Sequence, residues 1–133
     1  MTEIVTKNYK AGEIIYSIND PADKIYLIHN GKVRIKSKLG LNLGILIEGE
    51  MFGEVGPIIE ETRTVTVIAE TNCTLREIHH STLHKKLDEA DPVLVGIIRG
   101  LSLRIGDANK LAEKYWQELS VYKSLEKSFE DSK

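Results

Sequence analysis

The sequence holds one cysteine, three prolines and few aromatic side chains, 6% of 133 residues. A lone cysteine, Cys73, excludes an internal disulfide framework and any zinc site built on several thiolates. It sits in an apolar run and reads as a reduced, buried thiol. Neither sign of charge is in excess: 18 basic against 20 acidic side chains leave a net charge of −2. With no basic surplus to displace counterions from phosphates, direct nucleic acid binding is not expected. No apolar run reaches the ~18 residues of a membrane span. The N-terminus, Met1 to Lys7, lacks the basic and apolar regions of a signal peptide, so the cytoplasm is the expected compartment. Internal repeats and low-complexity tracts are missing too, which excludes solenoids and disordered activation tails. What is present is ordinary: 41% hydrophobic and 29% charged residues, in a chain long enough for one domain with a real core.

The chain divides in two. Up to about residue 80 it reads as short β segments. These are Glu13 to Tyr16, Ile25 to His29, Lys32 to Lys36, Asn42 to Ile47, Thr62 to Ala69 and Cys73 to Ile78. Val33 and Ile35 alternate with Lys32, Arg34 and Lys36, which marks a half-buried strand. Asn30-Gly31 predicts a two-residue hairpin turn with positive φ at both positions. Turns at roughly ten-residue spacing imply an antiparallel sandwich, roll or barrel.

Beyond residue 80 the period changes to helical. Ser81 is the expected N-cap of a short helix through Leu83, Leu87 and Ala90. Asp91-Pro92 then starts a longer helix, with Asp91 as cap and Pro92 at the first helical position. Leu94, Ile98, Leu101, Ile105, Ala108, Ala112, Tyr115, Leu119 and Tyr122 recur at alternating steps of four and three. That is the 3.5-residue repeat of a coiled-coil seam, which predicts a homodimer through this helix. Packing of the seam on the sheet is the plainer alternative. Gly96, Gly100 and Gly106 weaken the helix by roughly 0.8–1 kcal/mol each relative to Ala. The tail beyond Lys123 is expected to fray.

The informative stretch runs from Gly49 to Thr64. Its glycines at 49, 53 and 56 let a backbone approach a ligand or adopt positive φ. Pro57 is preset for the first turn of a helix, and a helical turn over Pro57 to Glu60 would turn its free N–H groups toward an anion. Arg63 can fork two hydrogen bonds onto a phosphate and stays charged. Glu54 is an acceptor suited to a hydroxyl. Donors for an anion beside one carboxylate for a hydroxyl describe a sugar phosphate.

This segment resembles the phosphate-binding cassette of cyclic nucleotide-binding domains, in which Phe-Gly-Glu precedes a short helix and then Arg followed by Ser, Thr or Ala. Tyr9 to Tyr16 is similar to that family's opening strand, Asp20 to Val33 to its first hairpin, and residues 91–113 to its long C-terminal helix. The resemblance implies a mainly β fold with C-terminal helices (α+β). Residues 1–90 would form an antiparallel β-roll or jelly-roll sandwich with a short helix, 91–127 the long helix, and 128–133 a frayed tail. It implies cAMP or cGMP as the ligand, no further cofactor, and no catalysis. Glu54 would accept the ribose 2′-hydroxyl and Arg63 would hold the cyclic phosphate. The backbone amides of Gly56 and Thr64 would complete the cradle, with Gly53 against the ribose. Val55 and Val65 would line the site, Val65 on the base side. Thr64 leaves both bases open, because family members with alanine there tend to prefer cAMP and a hydroxyl can also touch guanine. A base contact is expected from Asn109, with Lys110 as the alternative. Val55-Gly56-Pro57 departs from the more frequent Leu-Ala-Leu, and Pro57 removes one N–H donor. Asn19 replaces a usual glycine and tolerates positive φ. No helix-turn-helix, kinase or channel domain follows the long helix, so an output element is expected on a partner or on a longer protein.

Two other readings compete. One is a dimeric scaffold that kept the fold and lost the ligand; the Glu54/Arg63 pair speaks against it. The other is a cupin-like enzyme, which needs a His-x-His pair that the sequence lacks. His80 and His84 stand four apart, a zinc-like spacing. Ser81 as N-cap would leave His80 outside the helix, and no metal site is expected.

Overall fold

The computed structural model describes residues 4–54 and 62–131. Its β half contains β1 (Ile4–Tyr9), β2 (Ile14–Tyr16), β3 (Lys24–Asn30), β4 (Val33–Lys36), β5 (Asn42–Leu46), β6 (Met51–Phe52), β7 (Thr66–Ala69) and β8 (Cys73–His79). Among the described residues these form two four-stranded sheets, ordered β1-β8-β3-β6 and β2-β7-β4-β5. All pairings are antiparallel. Helix α1 (His80–Glu89) and the 40-residue helix α2 (Pro92–Asp131) follow. A β-roll with a short and then a long helix is the fold class the sequence implies.

The core lies between the sheets, because strand alternation turns one face of each inward. Ile28 and Leu75 come from one sheet, Val33 and Val67 from the other, and all four are fully buried. Each contributes about 1.5–3 kcal/mol of burial. Cys73 is buried, and its thiol donates to the carbonyls of Lys32 and Thr71, both at 3.0 Å.

Asn30-Gly31 does not close a hairpin. β3 and β4 belong to different sheets. Gly31 has φ +97, while Asn30 is not in the left-handed region. The reason is tertiary. β3 pairs with β8 and β4 with β7, so two adjacent ribbons bend together from one sheet to the other. At that corner a Cβ on Gly31 would collide with the Asn72 carbonyl oxygen. Lys32 locks the corner, donating to Thr71 Oγ1 and accepting from Glu70 N.

The helices differ from expectation at both ends. His79, not Ser81, caps α1: its side chain accepts the Ser81 N–H, so His80 is already helical. Asp91 caps α2 as expected, accepting the Val93 N–H at 2.8 Å. α2 is helical through Asp131, past both Lys123 and the expected helix end at 127. Beyond Gly106 it holds no glycine or proline, and its Lys and Glu residues are good helix formers. At 1.5 Å per residue it is about 60 Å long.

α2 meets the roll with its small and polar side. Ser102 and Gly106 are buried, and Asn109 and Glu113 half-buried. Glu113 Oε1 accepts the Leu39 N–H at 2.6 Å. The 3.5-residue seam is left outside: Leu94, Leu101, Tyr115, Leu119 and Tyr122 are each at least half exposed. No helix among the described residues is long and apolar enough to cross a membrane.

Candidate functional site

Arg63 is where the fold departs most from a simple strand reading. The sequence places it on a strand from Thr62 to Ala69, yet β7 starts only at Thr66. The backbone of Arg63 bonds elsewhere. Its N–H donates to the Asp20 carbonyl and its carbonyl accepts from Asn19 N, both at 2.8 Å. Residues 17–20 form a turn in which Asp20 Oδ2 accepts the Ser17 N–H and Asn19 takes φ 73. That positive φ is the conformation foreseen for Asn19. The turn between β2 and β3 thus clamps the arginine backbone.

The side chain of Arg63 then runs inward and is 2% exposed. Nη1 donates to the Gly53 carbonyl at 2.7 Å and Nη2 to the Lys24 carbonyl at 2.6 Å. The guanidinium lies 4.1 Å from the Tyr16 ring centroid and 5.8 Å from that of Tyr26, where the ring faces attract a cation. Tyr26 in turn stacks on Phe52 at 5.0 Å. Burial pushes the Tyr26 phenol up to about 12, aided by Glu77 and opposed by Arg63. Burial also pushes the Tyr16 phenol up, with Arg63 opposing. Both rings therefore stay neutral beside the cation.

Gly53 is required by this arrangement. Its φ is +81, and a Cβ there would meet Arg63 Nη1 at 3.0 Å and Tyr26 Cδ2 at 3.2 Å. Glu54 follows, half-buried. Burial raises its carboxyl above the usual range, while its own backbone N–H and Arg63 pull it down. Glu54 and Arg63 form no ion pair with each other among the described residues. Instead, Glu54 Oε2 and Arg63 Nε are both buried without a hydrogen-bond partner among the described residues. A buried polar atom in that state is destabilising by about 1–3 kcal/mol, more for a charged group.

Six of the eight residues singled out from the sequence converge. Gly53, Glu54, Arg63, Thr64, Val65 and Asn109 all line one cavity of about 200 Å³. Val55 and Gly56, with the turn expected over Pro57 to Glu60, lie outside the described residues. Asn109 reaches this cavity; Lys110 lines a smaller neighbouring one of about 20 Å³ instead. Ile105, read as a seam residue, also faces the larger cavity. The sequence reading missed Tyr16, Ile35 and Leu46 in its wall, while Met51 and Phe52, apolar residues of the cassette, line it too. Strand alternation already turns Ile35 inward with Val33, but only the corner at residues 17–20 shows that Tyr16 sits under the guanidinium. No group of three metal-ligating side chains occurs among the described residues.

The model of the cyclic nucleotide-binding domain family matches residues 6–90. Glutaminase 2 of Bradyrhizobium diazoefficiens is 33% identical over 73 residues, 55% of this chain but 12% of that protein. The cAMP-dependent protein kinase regulatory subunit of Schizosaccharomyces pombe is 32% identical over 83 residues, 62% of this chain and 20% of that one. The chain thus spans a small part of the curated relatives it matches. Among solved structures, the cAMP-bound form of the EAL enzyme Bd1971 is 27% identical with a TM-score of 0.73, over 90% of this chain and 33% of that one. Its cGMP-bound form is 26% identical with a TM-score of 0.72, over 93% and 34%.

Proposed function

The chain belongs to the cyclic nucleotide-binding domain family, and from that premise we propose that its cavity takes cAMP or cGMP and relays occupancy to α2. The observation that carries this reading is the pair of buried atoms, Glu54 Oε2 and Arg63 Nε, that have no hydrogen-bond partner among the described residues, on two residues that line one cavity. A cyclic phosphate anion satisfies a guanidinium N–H, and a ribose 2′-hydroxyl donates to a carboxylate. Gly53 admits the sugar because no side chain stands there, and the Thr64 and Gly56 amides complete the phosphate cradle. Val55 and Val65 supply apolar contact, and Asn109 offers an amide to the base edge. Two residues of α2, Ile105 and Asn109, share the wall with Arg63. A ligand that touches both the roll and α2 favours one helix position over another through those contacts. The chain acts as a binding module and not as a catalyst.

The same proposal includes a homodimer through α2. Apart from Ile105, the seam leaves large apolar side chains uncovered, with Leu101 51%, Tyr115 59% and Leu119 50% exposed. A 3.5-residue repeat is complementary to another helix of the same kind, and a second copy supplies one. Sedimentation of the wild type against Leu101→Asp with Leu119→Asp tests it, with a dimer expected only for the wild type.

Isothermal titration with cAMP and cGMP tests the ligand. Saturable binding by either, weakened in Arg63→Ala and Glu54→Gln, is the expected result. No heat and no thermal shift at millimolar nucleotide would leave the dimeric scaffold as the reading of this fold.

A further inference from the structure

Three of the chain's four histidines gather where β8 passes into α1, away from the nucleotide cavity. The His79 and His80 ring centroids are 4.2 Å apart and those of His80 and His84 are 5.7 Å apart, edge to face at 78°. Because His79 is the cap, His80 and His84 are both helical and stand one turn apart on the same face.

Their hydrogen bonds assign the tautomers. His80 Nδ1 lies 3.2 Å from the Asp23 carbonyl oxygen. A carbonyl can only accept, so Nδ1 carries the proton and the neutral ring's lone pair is on Nε2. The His80 backbone N–H donates to the same oxygen at 2.8 Å, so the ring is held at two points. A ring N–H on a backbone carbonyl is the outer contact that metal-ligating histidines make, fixing the ring and raising the basicity of the other nitrogen. His79 is wired the opposite way. Its Nδ1 accepts the Ser81 N–H at 3.2 Å, so that lone pair is spent on the cap.

We propose that His80 Nε2 and the His84 imidazole form a two-histidine site for one divalent transition-metal ion of the zinc, nickel and copper(II) class. Two imidazoles on one ion, each nitrogen about 2.1 Å from it, have centroids at most about 6.4 Å apart. The observed 5.7 Å falls inside that limit. With no third protein ligand converging among the described residues, water fills the remaining positions. Imidazole suits these borderline ions and does not suit magnesium or calcium. A bound ion joins the first turn of α1 to the Asp23 carbonyl through His80. Asp23 precedes Lys24, whose carbonyl holds Arg63 Nη2.

The test is calorimetric titration of the full chain with zinc chloride, and separately nickel chloride, in a non-coordinating buffer at neutral pH. One saturable equivalent is expected. Affinity should fall at least about tenfold in His84→Ala and in His80→Ala, and stay unchanged in His29→Ala. Far-UV circular dichroism of His84→Ala and His84→Gln checks that the helix persists, and loss of binding in the folded Gln variant supports the site. No saturable heat at millimolar zinc overturns the proposal. So does wild-type affinity in the His84 variants, or a loss in His79→Ala equal to that in His84→Ala.

Discussion

Replacing Arg63 by alanine perturbs two quantities that the structure separates. The first is stability without ligand. The guanidinium is 2% exposed and supplies the donors for the Gly53 and Lys24 carbonyls. Each buried acceptor left without a donor is destabilising by about 1–3 kcal/mol. Water entering the emptied space, and removal of a buried charge without a carboxylate partner, offset part of that. A net loss of about 2–4 kcal/mol, or roughly 10 °C in Tm for a chain of this length, is expected. The second quantity is the response to nucleotide. Ligand at about 100 times its Kd stabilises the wild type by about 2.7 kcal/mol. Deleting one partner of a desolvated charge pair weakens binding by about 2–5 kcal/mol, so affinity falls at least about 30-fold. At that same ligand concentration the variant then gains at most about 0.9 kcal/mol. Differential scanning with and without cAMP or cGMP reads both numbers. Arg63→Lys keeps the charge, loses the fork, and should fall between the two. An unchanged nucleotide-induced shift in Arg63→Ala, or in Arg63→Lys should the alanine variant not fold, would refute the role assigned to this residue.

Glu54→Gln should move stability and affinity in opposite directions. Burial raises the Glu54 carboxyl in the folded state, so the stability tied to it is present below the ordinary carboxylate value of about 4.3. It is lost as pH rises through the folded value. The amide removes that loss: Tm of the free protein should exceed wild type at neutral pH and converge at acid pH, while nucleotide affinity drops about tenfold as a charged acceptor becomes neutral. A lower neutral-pH Tm would contradict this. Gly53→Ala meets both a φ of +81 and contacts at 3.0 and 3.2 Å, whereas Gly49→Ala meets a φ of +85 alone. Both should lose about 1–2 kcal/mol for the backbone; only Gly53→Ala should also weaken nucleotide binding, measured by titration. Gly96→Ala and Gly100→Ala add a Cβ with nothing within 4 Å, so each should gain about 0.8–1 kcal/mol in chemical denaturation. A loss instead would place another backbone against that face.

Local chemistry determined much of this protein. Period-two alternation at Val33 and Ile35, the Asp91-Pro92 helix start, and the Gly-Glu followed nine residues later by Arg are all carried by neighbouring side chains. Where neighbours suffice, the fold agrees with them: β4 and the α2 cap are where the sequence places them, and Asn19 takes a left-handed conformation. Contacts between distant segments decided the rest. Asn30-Gly31 became a corner between sheets because β8 and β7 lie beside β3 and β4, and pairing with them outweighs a local hairpin. Arg63 left its strand because the amides and carbonyls of residues 19–20 bind its backbone, and its side chain turned inward because Gly53 and Lys24 offer carbonyls there. His79 displaced Ser81 as cap because β8 delivers the ring onto the first free amide of α1. Periodicity states which face of α2 is apolar, but only packing chose the small side, Ser102 to Glu113, for the roll and left the apolar seam free.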